Sequence, residues 1–242
     1  LNDERHALAV RAEVRNRLVE TRDRLNAHLV SDLQLVRGLV SVINLDPALD
    51  QVRFERAARP LLDDRTHLRN IAAAPDMVIR LMVPLQGNER AIGLDYRRTP
   101  AQAEAAERAR STRQVVLAGP LPLVQGGTGL IARLPVFVAD AGGERFWGLV
   151  SAVIDSDRLF RTTGLLDPAL PIEIAVRGED AKGAAGPVFI GRAALFDQQP
   201  VLAEVALPQG AWQLAAQPRG GWPRHADNLW LLRAGYAALA LL

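Results

Sequence analysis

The sequence predicts an α+β fold in which a long N-terminal helix precedes two antiparallel sheets. Residues 1–45 contain no proline and a single glycine, and they favour helix throughout. Two apolar runs rich in Val, Ile and Phe, residues 129–138 and 146–154, flank a loop with two glycines, which predicts a β-hairpin. Short apolar runs separated by Gly, Pro and Asp follow after residue 170 and predict a second, smaller sheet.

The predicted N-terminal helix carries apolar side chains at near-heptad spacing, and Asp46-Pro47 ends it. A helix of that length spans roughly 60 Å, which is more than one compact core covers. Two compatible interpretations follow: the helix packs along two subdomains, or it is a stalk that pairs with a second copy of the chain. The residues expected to line a parallel helix pair are Leu25, Leu29, Val36 and Ile43.

The next segment predicts the rest of a five-stranded sheet with helices on one side. Residues 54–74 predict an amphipathic helix closed by Pro75, and residues 77–85 and 90–95 predict two strands around a turn. Thr99 and Gln102 predict a capping box at the start of a helix that reaches about residue 114. Strands at 115–117, 129–138 and 146–154 follow. Pro135 has no N–H, so its strand is expected to be bulged or at an edge there.

The C-terminal third predicts a short helix capped by Asp155, then strands at 172–176, 187–191, 201–207 and 212–216. Residues 229–242 are apolar apart from Arg233. A bilayer span takes roughly 20 residues, so this run is expected to begin a membrane helix. The predicted division is a stalk at 1–50, a membrane-distal subdomain at 51–165, a membrane-proximal subdomain at 166–224 and the start of a second transmembrane helix at 225–242.

Composition and motifs argue against catalysis, cofactors and nucleic-acid binding. There are no cysteines, and the net charge is only +2, although 29 residues are basic. No Gly-x-Ser-x-Gly nucleophile motif is present, and the four histidines have no ligand spacing. Asp63, Asp64 and His67 fall within one turn of a predicted helix, where a solvated face is expected rather than a metal site. No metal site, cofactor or catalytic residue is predicted.

A series of short motifs resembles the bacterial CHASE domain, in order, over residues 68 to 222. The motifs are Asn70-Ile71, Val83-Pro84-Leu85-Gln86-Gly87-Asn88, Ile92-Gly93-Leu94-Asp95-Tyr96, Gly119-Pro120, Leu123-Val124-Gln125-Gly126-Gly127, Pro135-Val136-Phe137, Phe146-Trp147-Gly148-Leu149-Val150 and Leu207-Pro208-Gln209-Gly210-Ala211-Trp212.

The resemblance implies a ligand-sensing domain in the periplasm, held between two transmembrane helices of an inner-membrane receptor. CHASE domains have a long stalk helix followed by two tandem PAS-like antiparallel-sheet subdomains, and they precede histidine kinase, diguanylate cyclase, phosphodiesterase or adenylate cyclase modules. The resemblance therefore implies a homodimer that binds a small molecule in its distal subdomain and signals to a cytoplasmic enzyme. The alternative is a ligandless module for dimerisation and signal relay.

The resemblance also implies candidate binding residues. Plant cytokinin receptors of this family bind an adenine-type hormone through an aspartate at a strand end and a leucine backbone group. Asp95 and Leu117 match those positions, and Gly127 and Thr128 fall near a further polar one. Arg133-Leu134 stands where the plant members carry a small polar residue, so the ligand implied is a purine-like or other small metabolite rather than cytokinin itself. The other candidate ligand contacts are Tyr96, Met77, Ile79, Leu94, Ile131, Val136 and Val150. The alternative for Asp95 is that it only caps the turn before Thr99.

Overall fold

Helix α1 (Asn2–Leu45) runs along the whole molecule in the computed structural model, which describes residues 2–123 and 127–223. The other helices are α2 (Gln51–Ala58), α3 (Pro100–Thr112) and α4 (Ser156–Thr162). The strands are β1 (Leu68–Pro75), β2 (Leu81–Val83), β3 (Val116–Pro122), β4 (Thr128–Asp140), β5 (Gly143–Asp155), β6 (Ile172–Arg177), β7 (Val188–Ile190), β8 (Val201–Leu207) and β9 (Gly210–Pro218).

The strands form two antiparallel sheets, as the sequence predicted. The larger sheet has five strands in the order β2-β1-β5-β4-β3, and the smaller sheet has four in the order β7-β6-β9-β8. The predicted hairpin is β4 and β5, which pair from Gly129 opposite Asp155 to Asp140 opposite Gly143. Strand β3 pairs with β4 only as far as Arg133, so β4 has one paired neighbour at Pro135. This is the edge position that the proline predicted.

Two of the predicted elements before α3 are wrong. The helix predicted at 54–74 ends at Ala58, and its second half is strand β1. The alanines at 72–74 favour helix locally, but β1 lies between β2 and β5 and is buried, and this sheet pairing outweighs local propensity. The strand predicted at 90–95 is instead a 3₁₀ turn at Glu89–Ala91 followed by one bridge between Val78 and Asp95.

Helix α1 packs against both sheets, as one of its two interpretations required. Near its N-terminus Arg11 donates to the carbonyl of Gln199, just before β8. Beyond its C-terminus Trp147 of β5 donates from Nε1 to the carbonyl of Pro47 at 2.9 Å. One continuous apolar core joins α1 to the inner faces of both sheets. Both sheets therefore pack on the same helix, α1.

The near-heptad positions of α1 face this core, which corrects the predicted pairing surface. Leu25, Leu29, Val36 and Ile43 are each 2% exposed or less. Because the two sheets of the same chain already cover these side chains, they cannot also contact a second copy. The near-heptad pattern predicts a buried stripe, but it does not show whether the same chain or a second copy covers that stripe.

A buried hydrogen-bonded pair fixes α1 to the start of the larger sheet. The Oδ2 of Asp32 on α1 lies 2.9 Å from Nδ1 of His67, and the His67 backbone N–H donates to Asp32 Oδ1. Both residues are 2% exposed. Burial raises the pKa of Asp32 above its usual 3.8, and the hydrogen bonds and charge of His67 oppose that shift.

We expect Asp32 to make the stability of the fold depend on pH. Because its pKa is higher in the folded chain, the folded state takes up a proton more readily than the unfolded chain. Its contribution to the free energy of unfolding should therefore rise as the pH falls from neutral to about pH 4, and be lost as the pH rises through the raised pKa. Urea unfolding of wild type and Asp32→Asn across this range measures it. A free-energy difference between the two proteins that does not change with pH would contradict it.

No helix within the described ranges, 2–123 and 127–223, is long and apolar enough to cross a membrane. The apolar run predicted to begin a transmembrane helix, residues 229–242, lies outside those ranges.

Candidate ligand-binding site

The face of the larger sheet opposite α1 is covered by the connection between β2 and β3, which contains α3. Side chains alternate along β4, so Leu130, Ala132 and Leu134 belong to the core against α1 while Ile131 and Arg133 face the other way. The buried apolar residues of this second face are Ala72, Ala74, Met77, Ile79, Met82, Tyr96, Ala106, Ala109, Val116 and Leu149. Alanines on both β1 and α3 leave little side-chain bulk between helix and sheet. We call this layer the α3 face.

A tyrosine reaches across the α3 face to the central strand of the sheet. Tyr96, in the 3₁₀ turn Tyr96–Arg98, is 2% exposed and donates its hydroxyl to Ser151 Oγ at 2.9 Å. Burial raises the pKa of the Tyr96 phenol, so the O–H keeps its proton and remains a donor. Two hydroxyl groups are therefore held inside an otherwise apolar layer.

A buried arginine lies beside that pair. Arg133 is opposite Ser151 on β5 and opposite Val116 on β3, and it is 1% exposed. Its Nη2 donates to Oε1 of Gln102 on α3 at 3.1 Å, and its Cζ lies 5.6 Å from the centre of the Tyr96 ring. Burial lowers the pKa of the Arg133 guanidinium, which stays charged because its ordinary pKa is so high. A positive charge is thus fixed at the middle of the α3 face.

Asp95 lies at the rim of the same layer and caps the turn that carries Tyr96. Its Oδ1 accepts from the backbone N–H of Arg97, and both carboxylate oxygens accept from the Arg97 side chain at 2.8 Å. Those hydrogen bonds lower the pKa of the Asp95 carboxyl. The capping alternative is therefore present in the structure, and a ligand would have to replace the Arg97 side chain to reach this carboxylate.

The capping box predicted at the start of α3 is wrong. Thr99 makes no side-chain bond to the helix N-terminus, and its Oγ1 donates to the carbonyl of Asp95 instead. The side chain of Gln102 turns inward to Arg133. Gln102 therefore accepts a hydrogen bond from buried Arg133, whereas the capping-box pattern predicted a bond from its side chain to the backbone of Thr99.

The structure brings together only part of the predicted set of ligand contacts. Tyr96, Met77, Ile79 and Leu94 pack in one cluster on the α3 face, and Ile131 lies on the same face of β4. The side chains of Leu117, Val136 and Val150 lie on the opposite face, in the core against α1. Thr128 starts β4, where its Oγ1 donates to Asp157 Oδ1 at 3.2 Å, and Gly127 precedes it beside Arg69. The strand pleat is the physical reason for this division, because neighbouring residues of a strand point to opposite faces.

Sequence reasoning missed the polar residues of this face. Arg133, Ser151 and Gln102 were not among the predicted contacts. A usable signal existed, since Arg133 occupies an inward position of an otherwise apolar strand, and such a cation needs a specific environment.

Two surface depressions lie elsewhere. One, of about 350 Å³, lies between the end of α1 and α2 and is lined by residues such as Leu49 and Arg53. The other, of about 490 Å³, is bordered by Arg37, Leu134 and Pro208. Neither is lined by a residue of the predicted site.

The acidic and histidine residues near α2 do not converge on one point. Asp63 accepts from the side chain of Arg65, whereas His67 turns to Asp32 in the core. Across the described part of the chain, no three His, Cys, Asp or Glu residues are grouped so that they could hold a metal ion.

The family comparison confirms the resemblance found in the sequence. Residues 74–189 match the family described as the CHASE domain, a range that contains β2 to β6 and all of α3. No curated protein sequence matches the chain.

Solved structures with the same fold are sensor domains. One is an extracellular ligand-binding receptor from Desulfohalobium retbaense, with 19% identity and a TM-score of 0.63; the match covers 82% of this chain and 39% of that receptor's chain. Another is the ligand-binding domain of the Pseudomonas aeruginosa amino acid chemoreceptor PctC in complex with GABA, with 17% identity, a TM-score of 0.57 and coverage of 81% and 94%. A third is the sensor domain of the Vibrio cholerae histidine kinase DctB, with 12% identity, a TM-score of 0.52 and coverage of 84% and 96%.

These likenesses establish the fold as the predicted stalk helix with two PAS-like sheets. The matched family and the similar structures are sensor domains and not enzymes, in agreement with the sequence analysis.

Proposed function

We propose that this chain is the ligand-sensing part of a transmembrane receptor in the inner membrane, because residues 74–189 match the family described as the CHASE domain. The observation that carries the proposal is the set of polar groups buried under α3, Tyr96 with Ser151 and Arg133 with Gln102. Buried polar groups cost stability, whereas a binding site needs a few of them in an apolar setting. Their position on the α3 face supports a site there.

The proposed ligand is a small molecule held between the larger sheet and α3. Met77, Ile79, Leu94 and Ile131 are its proposed apolar neighbours, with Tyr96 between them. We keep Asp95 at the rim as a second anchor, together with backbone groups near Leu117. Val136 and Val150 are left out, because their side chains belong to the core against α1.

Contacts between the two sheets support a path for the signal. The C-terminal end of α3 contacts the smaller sheet through Gln209, whose Nε2 donates to Thr112 Oγ1 at 2.8 Å. Asp180 accepts from the backbone N–H of Gly119 on β3. A ligand that shifts α3 would therefore act directly on the smaller sheet. We propose that the shift continues through a second membrane helix to a cytoplasmic kinase or to an enzyme of cyclic-nucleotide or di-GMP metabolism. We also propose that residues 51–165 and 166–224, each with one sheet, are the membrane-distal and membrane-proximal subdomains of the receptor.

Thermal-shift screening of the purified chain tests the proposal. The panel contains nucleobases, amino acids and small carboxylates. Each compound is added at a concentration well above the micromolar range, so that a ligand with a micromolar dissociation constant saturates its site. A ligand at about 100 times its dissociation constant should raise the melting temperature by about 5 °C. If no compound of any class stabilises the chain, the ligandless relay module is the better account. The two depressions away from the predicted site are the observation that favours this alternative.

Asp95→Asn separates the two roles of Asp95. Asparagine can still accept from the Arg97 backbone N–H, so the turn and the melting temperature should be preserved. If the carboxylate anchors the ligand, loss of its charge should weaken binding about tenfold. Calorimetric titration of wild type and the variant with a ligand from the screen measures this, and Asp140→Asn at the far end of the hairpin is the control. An unchanged affinity in Asp95→Asn removes Asp95 from the site.

The proposed homodimer requires a different surface of α1 from the one predicted. From residue 27 to the end of the helix, the exposed side carries one charged residue, Arg37, at the flank that borders Leu134 and Pro208. The exposed uncharged residues beside it are Ala27, Val30, Ser31, Gln34, Leu35, Gly38, Ser41, Val42 and Leu45. Val30 is 46% exposed and Leu45 89%. We propose that this surface, named the outer face of α1, meets a second copy in the full-length receptor.

Single cysteines test the outer face cleanly, because the chain has no native cysteine. In the membrane-bound receptor, Ser31→Cys and Ser41→Cys should form disulfide-linked dimers under mild oxidation, since both lie on the outer face. Asn44→Cys, which is exposed on another side of the same helix, is the matched control. Equal cross-linking at all three positions, or none at Ser31 and Ser41, would contradict the proposed interface.

A further inference from the structure

The guanidinium of Arg133 is a buried charge with most of its hydrogen-bonding capacity unused. The residue is 1% exposed, and neither Nε nor Nη1 has a hydrogen-bond partner among residues 2–123 and 127–223. Within those residues its hydrogen-bond acceptor is Oε1 of Gln102, an uncharged amide, at 3.1 Å. An arginine side chain offers five N–H donors in a planar fork. The chain itself therefore leaves the two-pronged edge of this fork unmatched.

No carboxylate of the described residues forms an ion pair with Arg133. Asp180 is the acidic group whose charge acts on it, but Oδ1 of Asp180 accepts from the Gly119 backbone N–H. A second cation lies near enough to affect Arg133, because the positive charge of Arg108 on α3 repels that of the Arg133 guanidinium. Arg108 Nε is also buried without a hydrogen-bond partner in the part of the chain that the structure describes. The contact of Arg108 with Glu104 is long, at 3.8 Å, and largely exposed to solvent. The local charge under α3 is positive.

A structural role explains this arrangement poorly. An isolated buried cation lowers the stability of the folded chain, and well-packed apolar replacements of buried charges are often neutral or stabilising. The Tyr96 ring at 5.6 Å gives only a modest cation–π contribution at that distance. The apolar neighbours Ile131 and Val116 show that a hydrophobic side chain suits this layer. The cation is thus better explained by an anion that it binds.

We propose that Arg133 binds the carboxylate of a small anionic metabolite, with Arg108 as a second positive charge and the Tyr96–Ser151 hydroxyl pair beside it. This inference rests on the proposed function and names the ligand class of the same site. A carboxylate fits the fork with two parallel N–H···O bonds, which replace the single bond to Gln102. Displacement of the Gln102 side chain moves the first turn of α3, the helix that contacts the smaller sheet. Recognition of the anion and the start of the signal then occur at one residue.

Isothermal titration of the chain tests the assignment with defined probes. The panel consists of the proteinogenic amino acids and short aliphatic mono- and dicarboxylates, each beside its uncharged amide, together with adenine as a neutral purine. At least one carboxylate should bind, and its amide should bind much more weakly. Comparison of each amino acid with the acid that lacks its amino group shows whether the ligand is an amino acid or a simple carboxylate.

Arg133→Met then removes the charge and keeps an unbranched, though shorter, apolar side chain. Binding of the carboxylate should weaken about hundredfold, while the urea midpoint of the ligand-free chain stays the same or rises. Arg110→Met, on the exposed side of α3, is the charge-matched control and should bind like wild type. If Arg133→Met fails to fold, Arg133→Lys serves instead, because lysine keeps the charge but loses the two-pronged geometry.

Three results overturn the proposal: no carboxylate binds, Arg133→Met binds the carboxylate as tightly as wild type, or the uncharged amide binds equally well. Binding of adenine in a chain that binds no carboxylate would leave the proposed sensor function standing while the anion site is overturned. A chain that binds nothing in this panel or in the thermal-shift screen contradicts both.

Discussion

Gly148→Ala should destabilise the larger sheet more than most single substitutions in this chain. Gly148 has a φ of +153°, and a Cβ at this position would lie 2.2 Å from the carbonyl oxygen of Ala74 and 2.7 Å from Cα of Pro75. These are backbone atoms of β1, so they can move only if the pairing of β1 with β5 opens. Strained backbone and lost pairing together should cost about 4 kcal/mol of unfolding free energy.

Gly142→Ala is the matched control for Gly148→Ala. Gly142 lies six residues earlier, in the turn of the same hairpin, and a Cβ there would meet no atom within 4 Å. Its unfolding free energy should stay close to that of wild type. Urea unfolding followed by circular dichroism compares the three proteins. A Gly148→Ala chain as stable as the Gly142→Ala chain would show that β1 tolerates the displacement.

The hairpin that contains Gly148 also shows why part of this fold can be predicted from sequence. Strands β4 and β5 are long, β-branched and joined by a short glycine loop, so local preference and sheet pairing agree. Strand β1 is different, because alanines at 72–74 favour helix and become strand only through pairing with β5. That partner lies more than 70 residues away in sequence, and single-sequence patterns do not contain it.

The candidate site shows the same limit. The resemblance to the family named residues by position along strands, and the pleat then placed Val136 and Val150 on the far side from Tyr96. The partnership of Gln102 with Arg133 joins a helix to a strand 31 positions later. Local rules assigned Gln102 to a helix cap, because the competing partner is visible only in three dimensions.

The second large effect is expected in the aromatic cluster between the two sheets. Trp212 on β9 is 1% exposed, and its ring centre lies 6.1 Å from that of Phe160 and 5.3 Å from that of Phe189. Phe160 belongs to α4, which directly follows the last strand of the larger sheet, whereas Phe189 belongs to the smaller sheet. Trp212 therefore packs where the two units meet.

Trp212→Ala should lower the unfolding free energy by about 4 kcal/mol. The variant loses the aromatic contacts of Trp212 and leaves a cavity between β9, α4 and β7. For a chain of this length the melting temperature should fall by roughly 10 °C. Trp212→Phe is the matched variant: it keeps most of the aromatic packing and removes the indole Nε1, which is buried and has no hydrogen-bond partner among the described residues. Its loss should be well under half that of the alanine variant. Thermal and urea unfolding measure both variants. Equal losses of unfolding free energy in Trp212→Phe and Trp212→Ala would mean that the cluster depends on the shape of the indole rather than on aromatic burial. A Trp212→Ala chain within about 1 kcal/mol of wild type would show that α1 holds the two sheets together instead.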